Sequence, residues 1–129
     1  MNNKGFTLIE LILVIAILGI LAVSAMPKIF SLTTEANTAA AAGVAANVLA
    51  GITLAGAKAM ATTGVETYPA TLDGAANGNC TTSNACFGGV VKDGVTRDWK
   101  RISDTVYAHT PTNTTYTYTP GGANPGTFK

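Results

Sequence analysis

Gly5-Phe6-Thr7-Leu8-Ile9-Glu10 leads directly into an apolar run, Leu11 to Met26, that stops at Pro27-Lys28. From Phe6 to Met26 this is 21 residues. As a helix it would be about 31 Å long, which matches a bilayer core of roughly 30 Å. The run is apolar on every side, as a membrane span requires. Lys4 precedes it and favours a cytoplasmic N-terminus. An ordinary signal peptide, cut after Val23-Ser24-Ala25, and a plain anchor would both account for such a run. Glu10 separates these readings from a third, in which cleavage precedes the run. A carboxylate in a membrane helix costs about 2.5–3.5 kcal/mol. Neither a signal peptide nor a bland anchor gains anything from that cost. A local alternative is that Glu10 snorkels to the interface, only five residues past Gly5.

Composition agrees with one domain plus an apolar appendage. The 129 residues are 47% hydrophobic and 12% charged, where soluble domains carry about 25% charged residues. The formal net charge of +1 gives no pull towards nucleic acid or an anionic surface. One histidine, His109, leaves no nucleophile–base–acid set, and no phosphate-binding glycine motif is present, so an anchored enzyme is a poor reading. No cofactor is expected. The aspartates lack the spacing of a calcium loop, and no metal site is expected either. Cys80 and Cys86 would suit a metal or redox role in the cytosol. The N-terminus argues for export, which favours a disulfide over free thiols or a metal.

The stretch from Lys4 to Pro27, with Gly5-Phe6-Thr7-Leu8-Ile9-Glu10 at its head and Gly19 within, resembles the N-terminal signature of type IV pilins and pseudopilins. That resemblance implies a peptidase that cuts after Gly5 and methylates the new amine of Phe6. It makes residues 1–5 a leader, residues 6–27 the membrane and filament-core half of a long helix, and Glu10 an assembly residue. Glu10 lies one helical turn beyond Phe6, so a neighbour shifted axially by one turn would set its Phe6 amine against this carboxylate. Gly19 and Pro27 are helix weakeners. In this family the region between them can lose helicity on assembly, though a simple proline kink would use the same residues. Residues 20–30 look most like mannose-sensitive haemagglutinin-type pilins, departing from them at Met26 and Ile29. The implied fold is α+β: a long N-terminal helix packed at its second half on a small antiparallel sheet. The implied function is a structural subunit of an extracellular filament serving adhesion, motility or DNA uptake. A type II secretion pseudopilin or a minor pilin is the alternative. Implied partners are identical subunits, the prepilin peptidase, the inner-membrane assembly machinery and, before assembly, membrane lipid. No dedicated nucleic-acid site is expected.

Beyond Pro27 the helical signal continues through an alanine-rich stretch to Ala61, making residues 28–62 the helix's second half. Val44, Val48, Ile52, Ala55 and Ala59 recur on one face, and Leu49 and Leu54 broaden it. Thr62-Thr63-Gly64 ends the helix. Residues 63–129 then read as loop and β head. Thr71 to Gly89 is a connecting loop. Val90-Val91 and Val95 flank Asp93-Gly94 as a tight hairpin. Arg101 to His109 and Thr115 to Thr119 alternate as strands, with a turn at Pro111-Thr112-Asn113 and a short last strand at Phe128. Trp99 is the expected plug of the helix–sheet core. His109 reads as a sheet-surface residue. Lys92, Arg97, Lys100 and Arg101 cluster around Trp99, where a nucleic-acid or surface-adhesion patch is one reading; the interleaved Asp93, Asp98 and Asp104 favour a solvated face.

Overall fold

The computed structural model describes residues 5–129; Lys4 and the rest of the leader up to it lie outside the described residues. One helix, α1, runs Leu8–Thr63. The chain divides into two compact units, one ending at Ala36 and the other Asn37–Lys129.

In the first unit the described residues are almost wholly helix, and the large apolar side chains from Phe6 to Leu32 are 48% to 89% exposed. α1 passes through Gly19 and Pro27 without interruption. Proline has no N–H to give, so the helix interior loses a bond there. The hydroxyls around it fold back onto the backbone. Ser24 Oγ donates to the Leu21 carbonyl at 2.9 Å, Ser31 Oγ to Lys28 at 2.9 Å, and Thr33 Oγ1 to Ile29 at 3.1 Å. Each polar group is thereby satisfied within the helix, as an apolar setting demands.

In the second unit α1 buries Ala41, Ala45, Val48, Ile52 and Gly56, with Val44 half-buried beside them. The expected stripe is present at Val48 and Ile52, while Ala55 and Ala59 lie at its half-buried edge. Leu49 and Leu54 do not broaden it: both are exposed, Leu54 at 70%. Leu54 sits about 200° around the helix from Ile52, at ~100° per residue, and so faces away from the core. Gly64 ends the helix with φ +73°, the left-handed conformation glycine adopts freely, and its N–H donates to the Met60 carbonyl at 3.0 Å.

The sheet is antiparallel throughout, in the order β1 (Gly78–Asn79), β2 (Trp99–Arg101), β3 (Val106–His109), β4 (Thr114–Thr119), β5 (Thr127–Phe128). Trp99 pairs with His109, Tyr107 with Tyr116, and Tyr118 with Phe128. Their side chains share the inner face, while Thr115, Thr117 and Thr119 alternate outward. Two expected strands differ. Arg101 to His109 is not one strand: it holds the last residue of β2 and all of β3, with a turn between them. Ile102 and Ser103 both donate to the Val106 carbonyl, which closes a turn between β2 and β3. The Val90–Val95 hairpin has its turn but no arms. Asp93 and Gly94 both take positive φ, at 63° and 64°, as an Asp-Gly turn of this hand requires. Val90 and Val91 donate to the Phe87 carbonyl, and Val95 exchanges two backbone bonds with Cys86. No ladder partner is left for a strand there.

The core between helix and sheet is aromatic. Phe87 is fully buried and touches the rings of Tyr107 at 4.3 Å, Trp99 at 5.4 Å and Phe128 at 5.5 Å. Trp99 is buried as expected, and it also packs on Tyr116 and His109.

Candidate functional site

The N-terminus of α1 is built as a reciprocal cap. Thr7 precedes the first helical residue, and its Oγ1 accepts from the Glu10 N–H at 3.3 Å. Glu10 reaches back. Its Oε2 accepts from the Thr7 N–H and from Thr7 Oγ1, each at 2.8 Å. Thr-x-x-Glu is the pattern such a box requires, and it occupies donors that a helix start otherwise leaves unpaired. Both bonds to the carboxylate fall on one oxygen. Glu10 is therefore oriented by its own helix and still exposed. Gly5 and Phe6 lie just before the helix in non-helical backbone, and Phe6 is 89% exposed. The bond between them thus lies in exposed, non-helical backbone just ahead of the helix. The role of Thr7 was readable in the three-residue spacing to Glu10, a signal that the cost of the carboxylate alone does not reveal.

The second constellation lies in the head. Cys80 and Cys86 form a disulfide with Cα atoms 5.4 Å apart, both buried. Cys80 donates to the Trp99 carbonyl at 2.9 Å and Cys86 to Val95 at 2.9 Å, so the bridge ties together two places where one loop meets the 95–99 segment. A buried ion pair holds the same loop from below. Arg101 Nε lies 3.0 Å from Asp73 Oδ1, a contact of charges whose N–H is not aligned as a hydrogen bond. Asp73 Oδ2 accepts from the Phe87 N–H at 2.6 Å. The guanidinium also donates to Asn77 Oδ1 at 2.6 Å and to Asp104 Oδ1 at 2.7 Å. Burial works to lower the Arg101 pKa, but its contacts with Tyr107, Asp104 and the Asp73 charge outweigh that and hold it up. Burial first, and then the Asp73 charge, push the Tyr107 hydroxyl well above the usual tyrosine range.

Two expectations about this region are corrected. Arg101 is not part of a solvated basic face: it is 8% exposed and faces Asp73 from the inner side of β2. His109 is not a sheet-surface residue. Its pairing with Trp99 places it on the inner face, 3% exposed, with Nδ1 2.8 Å from Thr112 Oγ1. Among the described residues, no cluster of three or more His, Cys, Asp or Glu side chains is placed to hold a metal ion.

An apolar helix capped by Thr7 and Glu10, together with a disulfide-stapled α+β head, is an arrangement like that of type IV pilins. Residues 1–26 match the family model of the prokaryotic N-terminal methylation motif. The chain is 52% identical over 48 residues to the type IV narrow pilus major component PilA5 of Thermus thermophilus, across 37% of this chain. It spans 41% of that relative's length. No solved structure matches the chain.

Proposed function

We propose that this chain is the structural subunit of a type IV pilus, made as a single-pass inner-membrane precursor with its N-terminus in the cytoplasm. A prepilin peptidase cuts between Gly5 and Phe6 and methylates the Phe6 amine. The observation that carries this reading is the capped Glu10 at the head of an unbroken apolar helix. A carboxylate there is costly in lipid and is kept where it has a partner. The Phe6 amine of the next subunit is that partner, and Oε1 of Glu10, the oxygen that Thr7 does not use, receives it. Each charge removes the desolvation cost of the other only between subunits, so the contact favours assembly and sets the axial register. The exposed apolar surface of residues 6–32 is covered by lipid before assembly and by the same surface of neighbouring subunits after it. Gly19 and Pro27 are the positions where the helix yields as it leaves the bilayer. The assembly machinery of the inner membrane extracts the subunit, and no catalysis is required of the chain itself.

The test is to shear surface filaments from native cells and determine the intact mass and N-terminus of their main protein. A chain that starts at methylated Phe6 and is two hydrogens lighter than its reduced form is the expected result. A chain that starts at Met26 would mean an ordinary signal peptide and would overturn the proposal.

A further inference from the structure

Two opposite charges stand apart from all others on α1. Between Glu10 and Lys58 the ionisable side chains of the helix are Lys28 and Glu35. Both are exposed, and neither makes an ion pair among the described residues. They stand seven positions apart, from 28 to 35. On a helix that is about 10.5 Å of rise and ~20° short of two full turns, so both lie on one face. Ion pairs within a helix form at a spacing of three or four residues; at seven, the charges share a face without meeting. The hydroxyls between them turn to the backbone: Ser31 Oγ donates to the Lys28 carbonyl at 2.9 Å and Thr34 Oγ1 to the Phe30 carbonyl at 3.3 Å. The surroundings are apolar, with Ile29, Phe30 and Leu32 all exposed beside the two charges. Covering that surface strips water from Lys28 and Glu35 as well, and a charge that loses its water needs a partner. Membrane insertion does not account for Lys28. It flanks the apolar run on the side opposite Lys4, where a cation works against the orientation that Lys4 favours.

We infer that Lys28 of one subunit pairs with Glu35 of a neighbouring copy of this chain, displaced along the filament axis. The inference rests on the filament reading given above. All copies enter the membrane in one orientation, so neighbouring helices run parallel. The order of the charges then fixes the direction: the neighbour that brings its residue 28 level with this residue 35 is displaced towards the C-terminal end of α1. The Phe6 amine reaching Glu10 requires a displacement in the same direction, by four positions from 6 to 10. The two displacements differ by about 4.5 Å. Lysine's long flexible stem spans that difference, and Glu35 leans back towards the N-terminus of its own helix and shortens it. One neighbour therefore makes both contacts. They stand on either side of the segment from Gly19 to Pro27, so the register is held at both ends of the stretch that yields. Lys28 and Glu35 both follow Pro27, and their spacing survives when that stretch loses its helix.

The test exchanges the two charges in the full-length chain in native cells. Sheared filament yield is compared with the amount of membrane subunit already cleaved to start at Phe6. Lys28→Glu alone, or Glu35→Lys alone, sets like charges together at every contact and should lower the yield by about tenfold at an unchanged subunit level. The double exchange should restore it. So should co-expression of the two single variants, because each then finds its complement in the other chain. A pair within one chain would be rescued by the double exchange but not by mixing. Lys28→Cys combined with Glu35→Cys reads the contact directly. Two cysteines about 10.5 Å apart on one helix do not join each other, and the native pair Cys80–Cys86 is already bonded. Oxidised filaments should therefore give a ladder of linked subunits on non-reducing gels, and either new cysteine alone should not. The inference is overturned if the single exchanges leave the yield unchanged, if mixing fails to rescue, or if no ladder forms. Loss of filaments on Lys28→Glu with Glu35→Lys silent would assign Lys28 to lipid headgroups and would also overturn it. A parent chain that forms no filaments at all would overturn the filament reading itself, and the pairing with it.

Discussion

The same helix is stabilised in two different ways along its length. Up to Ala36 every described residue is exposed, the large apolar ones included. From Asn37 onward it is held by a narrow buried line of Ala41, Ala45, Val48, Ile52 and Gly56. In a membrane, the setting proposed for the first region, every backbone group must be satisfied internally, because lipid offers no hydrogen bonds. In the second, most helix stability comes from packing an apolar face. Apolarity on all sides and apolarity on one side are thus two designs on one continuous element. A substitution that is silent in one region is expected to be costly in the other.

The largest expected effect lies in the head. Asp73→Ala leaves Arg101 buried beside the empty position and the Phe87 N–H without its acceptor. Breaking a buried pair from one side costs about 3–5 kcal/mol. Thermal unfolding of the purified chain in micelles should move sharply downward, whereas Ile15→Ala in the exposed apolar run should leave it unchanged. If both variants melt alike, the two regions do not differ in the way described. Next comes the staple. Cys80→Ser with Cys86→Ser opens a seven-residue ring and should cost the head about 2–3 kcal/mol, read as a lower denaturant midpoint with the helical circular-dichroism signal of the apolar run retained.

Glycines sharpen the contrast by sign. Gly51→Ala would drive a Cβ into the Val90 carbonyl and should destabilise by about 1–3 kcal/mol. Gly43→Ala meets open space on the same helix and should stabilise by roughly 0.5–1 kcal/mol. Gly19→Ala also meets nothing in the single subunit, so a loss of filaments without a loss of membrane-inserted subunit would locate its role in assembly. Thr7→Val removes the hydroxyl from the cap and should cost about 1 kcal/mol, seen as faster amide exchange confined to the first turn.

The smallest effect is alkaline. The Tyr107 hydroxyl, and to a lesser degree that of Tyr118, titrates higher in the folded chain than in the unfolded one, because burial disfavours the tyrosinate. Between the two values the unfolded chain holds fewer protons, so stability falls as pH rises above about 10. Below that pH these tyrosines contribute no pH dependence. Tyrosinate absorbance that rises in step with loss of the fold would confirm the order. Free ionisation of all four tyrosines before unfolding would contradict it.

Much of the molecule was legible where chemistry repeats at short range. The apolar run, the Val48–Ile52 stripe, the stop at Gly64 and the Thr-Tyr alternation of β4 each depend on neighbours within a few residues. What was not legible depends on distant partners. Arg101 is surrounded in sequence by Arg97, Lys100 and Asp104 and so reads as surface; the residue that buries it, Asp73, lies 28 positions away, from 73 to 101. His109 looks exposed until its register with Trp99 is known. Phe87 sits in a polar loop and gives no periodic signal, yet the core is organised around it. At the N-terminus, Gly5, Phe6 and Glu10 were readable as a motif, and the structure adds that Thr7 holds the carboxylate in place.

Phe128 has a consequence for timing. Its ring closes against Phe87, Trp99, Tyr107 and Tyr116, and β5 is the strand that brings it there. The aromatic centre therefore stays incomplete until residue 128 has arrived, long after the first membrane-compatible residues have. In a chain threaded outward through a membrane, Val48 and Ile52 would wait uncovered while some eighty residues follow them. The helix needs no distant partner to form, but the aromatic core of the head closes only once residue 128 is in place.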